Sequence, residues 1–228
     1  MTVLLLALGA GAVRADLPEH RVFAAEGERL LLWVSAARGR ADPELHAAEQ
    51  LAAHGVETWS VDLVSAYFLP QLPRSMDAVP TPDMVEWLRA ALARDKRLIV
   101  YAINRAAVPV LRAAAALESG ERARLCVMLA YPNLYTVAEP LAEPAYLDFG
   151  SLVGLRVLVL QPRRSAATPW LPGLLDSLAA QGAAVQHAIL QNLREGWWMR
   201  ETPTEFEMAE SRRMHELLLR QLDEWGCK

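Results

Sequence analysis

The sequence has little from which to build a covalent framework. Among 228 residues there are two cysteines, no C-x-x-C, and no Cys/His cluster at metal-ligand spacing. That excludes a disulfide-rich scaffold, a redox dithiol and a structural zinc site, and no cofactor or metal is expected. Cys126 falls inside the apolar run Leu125-Cys-Val-Met-Leu129 and Cys227 lies next to the last residue. The expectation is therefore a buried thiol and a terminal one, not a bridge. Basic runs are scarce as well. The formal charge is −4 and no Lys/Arg block or basic helix face stands out, which argues against nucleic acid as the partner. The apolar run Thr2-Val-Leu-Leu-Leu-Ala-Leu-Gly-Ala-Gly-Ala-Val13 is too short to span a bilayer, so no transmembrane segment is expected.

What is present is a core-forming composition, 53% apolar and 22% charged, with no linker near the middle of the chain. The N-terminal apolar run, followed by Val13-Arg-Ala-Asp16, reads as a secretory leader over residues 1–15. The mature domain is then residues 16–228, periplasmic or secreted. No Lys or Arg precedes the run, and the alternative is a first strand of a cytoplasmic protein, with Gly9 and Gly11 as turn residues.

Arg21–Ala25 and Arg29–Ser35 read as a hairpin around Glu26-Gly27-Glu28. Asp42 is placed to cap a helix whose apolar face is Leu45, Ala48, Leu51 and Ala52, and Gly55 ends it. Val56–Asp62 is a strand, and the prolines between Leu63 and Pro82 exclude a helix or central strand there. Met84, Trp87, Leu88 and Ala91 mark a helix starting at Thr81-Pro82. Strands follow at Leu98–Tyr101, Arg124–Leu129, Leu155–Leu160 and Ala184–Leu190. Pro169–Gly182 reads as a helix, and Glu205–Trp225 as one last helix burying Met208, Met214 (or His215), Leu218 and Leu222. Tyr131–Gly150 is a long excursion of the kind that is usually functional. The alternation predicts a single α/β domain with a mostly parallel central sheet of about seven strands and helices on both faces.

The order of elements over residues 20–225 resembles the α/β-hydrolase superfamily. Within it, residues 51–68 are similar to the exported virulence-factor branch of VirJ type. The resemblance implies a nucleophile elbow at Ala102-Ile-Asn-Arg-Ala106, between a strand and an alanine-rich helix. The small residues that an elbow needs on either side are Ala102 and Ala106, and Asn104 stands where a hydrolase carries its serine. Asparagine tolerates positive φ, so the geometry fits, but a carboxamide is no nucleophile. The loop expected to carry the acid, Gln161–Thr168, has no carboxylate. The loop expected to carry the histidine has Glu195 and Trp197 instead. His187 lies within a strand and reads as a packed or face-exposed residue.

These absences together predict a non-catalytic, pseudoenzyme-like protein that binds a partner protein or small ligand at a vestigial pocket. The candidate binding residues are Asn104, Arg105, Tyr67, Phe68, Tyr131, Tyr135, Trp197 and Trp198, with Trp170 also in a loop at that end of the sheet. Trp197-Trp198 is the pair least easily buried. The Arg105 N–H, at a helix start, is a candidate anion donor. The alternative is an enzyme of atypical mechanism, without a Ser-His-Asp triad, acting on a small substrate. Asn104, Tyr101 or Tyr131 would position the substrate and Glu195 or Asp62 would transfer the proton.

Overall fold

The computed structural model describes residues 17–136 and 144–227. The leader expected over residues 1–15 and part of the Tyr131–Gly150 excursion lie outside the described residues.

In chain order the elements are β1 (His20–Phe23), β2 (Arg29–Val34), α1 (Asp42–Ala53), β3 (Val56–Val61), α2 (Leu63–Ala66), α3 (Thr81–Leu92) and β4 (Arg97–Ile103). Then come α4 (Ala107–Ala116), α5 (Ser119–Ala123), β5 (Cys126–Ala130), β6 (Arg156–Pro162), α6 (Leu171–Ala180), β7 (Ala184–Leu190), α7 (Glu205–Arg212) and α8 (Met214–Trp225). Short 3₁₀ turns occupy Pro73–Ala78, Asn104–Ala106, Thr168–Trp170 and Trp197–Met199. The seven strands form one sheet in the order β1-β3-β2-β4-β5-β6-β7. All neighbours are parallel except β1 on β3.

Strands β2, β4, β5 and β6 are apolar on both faces because both faces are covered. Leu30, Leu32, Val100, Ala102, Val127, Leu129 and Val159 point into a layer shared with α3, α4 and α6. Their alternating neighbours Leu31, Trp33, Ile99, Tyr101, Ile103, Met128 and Leu160 point into a second layer under α1 and α8. Order reverses between β2 and β4: the chain goes out to β3 on one side of β2 and returns to β4 on the other. The carboxyl ends of these strands are where such a sheet opens a crevice.

Several local expectations are corrected, among them the exclusion of a helix between Leu63 and Pro82: Asp62 caps the short α2 before the first proline, and a 3₁₀ turn starts at Pro73. The opening runs do not make a hairpin; β1 pairs with β3, His20 opposite Val61, and β2 lies on the far side of β3. Burial of β2 in the centre of the sheet outweighs the short connection. Asp42 is the first residue of α1 and not its cap, which is Ala41. Of the expected α1 stripe, Ala48 and Leu51 are buried, but Glu44 and Ala47 complete the inward face in place of Leu45 and Ala52. The last helix is two, broken at Arg213, with Met208 exposed while Met214, Leu218 and Leu222 are buried. A capping box of Thr204 and Glu207 starts α7 on its own.

The largest correction concerns the cysteines. Cys126 on β5 and Cys227 just past α8 are disulfide-bonded, with Cα atoms 6.3 Å apart. Residues 101 apart in sequence meet because α8 lies back across the α1 face of the sheet. Closing so long a loop restricts the unfolded chain and stabilises by about 2–4 kcal/mol. Cys227→Ser is expected to lower urea stability by that amount, and thiol titration of the denatured, unreduced protein to find no reactive cysteine.

Candidate functional site

The loops leaving the carboxyl ends of β2, β4, β5 and β7 enclose a cleft of about 510 Å³. Its lining includes Ala36, Ala37 and Arg38 after β2, Asn104 after β4, Tyr131 after β5, and Glu195, Gly196, Met199 and Arg200 after β7. Three of these hold the left-handed backbone: Asn104 at φ 54°, Tyr131 at 35° and Gly196 at 58°. For a tyrosine that conformation is costly, and such strain clusters where a fold builds a site.

Asn104 forms the elbow that its neighbours predicted. Its Oδ1 accepts a hydrogen bond from the Arg105 N–H at 2.9 Å. In a nucleophile elbow, that N–H is an oxyanion donor, and the second donor comes from the loop equivalent to Ala36-Ala37. Here the first donor is covered by the carboxamide, which leaves the Asn104 Nδ2 hydrogens without a protein acceptor among the described residues. The N–H groups of Ala36 and Ala37 likewise donate to no protein acceptor among them. Unpaired N–H donors from the elbow and from the β2 loop thus belong to residues that line the same cleft.

Glu195 lines the same cleft. The Ser165 hydroxyl, in the loop after β6, donates to its Oε1 and itself accepts the Ala167 N–H at 3.0 Å. The three loops that carry a triad in a hydrolase elbow fold therefore carry Asn104, Ser165 and Glu195 here. Glu195 was read from the sequence. Ser165 is not among the sequence candidates, and its position directly after a buried strand is the available signal.

Arg105 is not a free anion site. Its guanidinium grips Asp77 through Nε at 2.7 Å and NH2 at 2.6 Å, and donates to the carbonyls of Tyr135 at 2.7 Å and Asn133 at 3.2 Å. It fixes the elbow to the loop beyond β5. With Tyr135 it lines a second recess of about 450 Å³. Burial pushes the Tyr135 hydroxyl up to about 12. Arg105→Met is expected to cost about 2–4 kcal/mol in urea unfolding, since it leaves Asp77 and two carbonyls unpaired.

The remaining aromatics scatter. Tyr67 donates to Asp83 at 2.9 Å, and Phe68, at φ 51°, is 95% exposed on the surface. Trp197 and Trp198 are buried, packed edge to face at 4.5 Å, so the expectation of an exposed pair is corrected. Their 3₁₀ turn drives both rings into the layer beneath the cleft. Trp170 is half-exposed and lines neither recess. Tyr101 is buried in that same layer, and burial holds its hydroxyl far above the usual range. Asp62 caps α2 through Ser65 N and Oγ at 3.1 and 2.9 Å and lies outside the cleft lining. His187 is exposed on the edge strand β7. Among the described residues there is no cluster of three or more His, Cys, Asp or Glu arranged to hold a metal, and no helix long and apolar enough to cross a membrane.

Beneath the cleft lies a carboxylate that the sequence reading passed over. Glu44, 1% exposed, accepts Ser35 Oγ at 2.7 Å and Trp198 Nε1 at 3.0 Å. Burial raises its pKa from 4.5 to about 7 against the opposing pull of those hydrogen bonds, and the charge of Asp62 adds a small push upward. Its spacing with Ala47, Ala48 and Leu51 on one helix face was the available signal. The folded state holds the proton more tightly than the unfolded chain. The contribution to stability is therefore full below about pH 4.5 and is lost as pH rises through about 7. Glu44→Gln is expected to remove roughly 3 kcal/mol of pH dependence from urea unfolding between pH 4 and 8.

No family model matches the sequence, and no curated protein matches it. Solved structures do match. An esterase from Pyrobaculum calidifontis aligns over 92% of this chain and 81% of its own, at 12% identity and TM-score 0.63. A protein assigned as a dienelactone hydrolase from Klebsiella pneumoniae subsp. pneumoniae aligns over 88% and 87%, at 15% identity and TM-score 0.61. A dienelactone hydrolase-like promiscuous phosphotriesterase from metagenomic libraries aligns over 86% and 88%, at 13% identity and TM-score 0.55. All three bear the names of enzymes, and that finding overturns the expectation of a binding protein without chemistry. Sheet order, elbow and neighbours agree that this chain has the α/β-hydrolase fold.

Proposed function

We propose that the protein is a hydrolase of atypical mechanism that cleaves a small ester-like substrate with water activated by Glu195. The observation that carries this reading is the placing of Glu195 and Asn104 on the lining of one cleft, with Ser165 orienting the carboxylate. The neighbours' names support the substrate class.

Glu195 takes a proton from a water molecule as that water attacks the carbonyl carbon. The negative charge that develops on the carbonyl oxygen is met by Asn104 Nδ2 and by the Ala36 and Ala37 N–H groups, which are fixed before the reaction begins. The protonated Glu195 then returns its proton to the departing alkoxide. Asn104 acts here as a hydrogen-bond donor, which a carboxamide does well, and not as a nucleophile. No covalent acyl-enzyme forms. Tyr131, strained at φ 35°, packs its ring against Trp198 of the β7 loop, 5.9 Å between centroids, and supports that loop.

Export, as in the VirJ-type proteins that residues 51–68 resemble, is part of the proposal. The Cys126–Cys227 bridge supports it, because such bonds persist in oxidising compartments.

A panel of short p-nitrophenyl esters tests the reading. Glu195→Gln is expected to lower kcat by about 10²–10³ and Asn104→Gly, which keeps the positive φ, by about 10². A fluorophosphonate probe is expected to label no serine. Stoichiometric labelling, or full activity of Glu195→Gln, would sink the mechanism.

A further inference from the structure

Glu44 touches neither the cleft nor any cation. The groups acting on its charge are Asp62, beyond β3, and the hydrogen bonds it receives; Tyr101 on β4 and Tyr131 after β5 are the other titratable groups facing it. From the helices packed on α1, Glu207 on α7 is taken up by Arg194 (2.8 Å through Nε), and His215 on α8 faces His54 and His46. Of the nearby arginines, Arg40 is drawn away to Ser60 O at 2.9 Å. A carboxylate buried this far without a counter-ion is retained at a cost in stability, and its hydrogen bonds indicate what it does instead.

Those two bonds run to residues adjoining two of the loops that line the cleft. Ser35 is the residue immediately before Ala36-Ala37-Arg38, which carry the unpaired N–H donors. Trp198 follows Glu195 and Gly196 and precedes Met199 and Arg200, all of which line the cleft. Oε2 accepts from Ser35 of the first loop and Oε1 from Trp198 of the second, which lies 154 residues beyond Glu44 in sequence. We propose that Glu44 is a positioning residue: one buried carboxylate that sets the distance between the oxyanion-donor loop and the loop carrying Glu195.

The brace has two states. The carboxylate accepts from both partners at once, and both bonds are charge-assisted. The neutral acid carries a proton on one oxygen, so one of the two bonds must weaken or reverse. The change falls near neutrality, and the cleft is tighter on its alkaline side. This inference rests on the hydrolytic reading for its catalytic consequence, but not for the brace itself.

The experiment therefore uses two readouts on the full chain: kcat and KM for p-nitrophenyl acetate, and near-ultraviolet circular dichroism of the Trp197–Trp198 pair, each from pH 5 to 9. In the wild type, ellipticity and kcat are expected to change together near pH 7. In Glu44→Gln, which imitates the neutral acid, both transitions are expected to vanish. Its kcat should stay at the level of the wild type's acid limb, about tenfold below the alkaline plateau, with KM within about twofold. Ser35→Ala removes one bond to the charged form, so its midpoint is expected to move up by about half a unit or more.

An ellipticity transition that persists in Glu44→Gln, or is absent from the wild type, overturns the brace. If Glu44→Gln does not fold, Ser35→Ala decides, and an unmoved midpoint overturns it. If no ester turns over but the dichroism behaves as expected, the hydrolytic reading fails while the brace stands.

Discussion

Strand β4 leaves the middle of the sheet and must reverse into α4 within three residues, and the fold hangs on that reversal. The backbone of Asn104 passes through φ 54° to make it, and Ala102 and Ala106 on either side are fully buried. A larger residue at either place would separate strand from helix. Asparagine adopts this conformation at little cost and ties its own side chain to the next N–H. Arg105, one residue on, is clasped by Asp77 and by two carbonyls of the loop after β5. The strained residue is held from outside, and the same clasp places Asn133 and Tyr135 beside it.

From that point the cleft follows from topology. Parallel strands put all their carboxyl ends on one edge of the sheet, so the loops after β2, β4, β5 and β7 converge although they are far apart in sequence. What the loops present is a set of N–H donors and an oriented carboxylate lining one cleft. Such a pair suits a reaction in which water is deprotonated and negative charge builds on an acyl oxygen. The loss of serine and histidine removes one route to hydrolysis without removing the electrostatic arrangement that favours it.

The α1 side of the sheet serves that arrangement from below. Its layer holds Trp33, Tyr101, Tyr131, Trp197 and Trp198 around Glu44, closed by α8 and pinned by the Cys126–Cys227 bridge. Rigid aromatic packing beneath two loops limits how far either can drift. A disulfide anchoring the end of α8 keeps that packing from opening at its free end.

The sequence by itself determined what depends on neighbours. Strand identity came from runs of apolar residues, the elbow from two alanines around an asparagine, and the α3 start from Thr81-Pro82. Each is a local steric or burial requirement, legible along the chain. Only the tertiary structure decided the pairing of β1 with β3, the phase of α1 that turns Glu44 inward, the meeting of Cys126 with Cys227, and the hold of Ser165 on Glu195. Those outcomes depend on which surfaces remain to be covered once the sheet has assembled. Partners 30 to 154 residues apart are chosen by the geometry of the packed whole, not by the residues beside them.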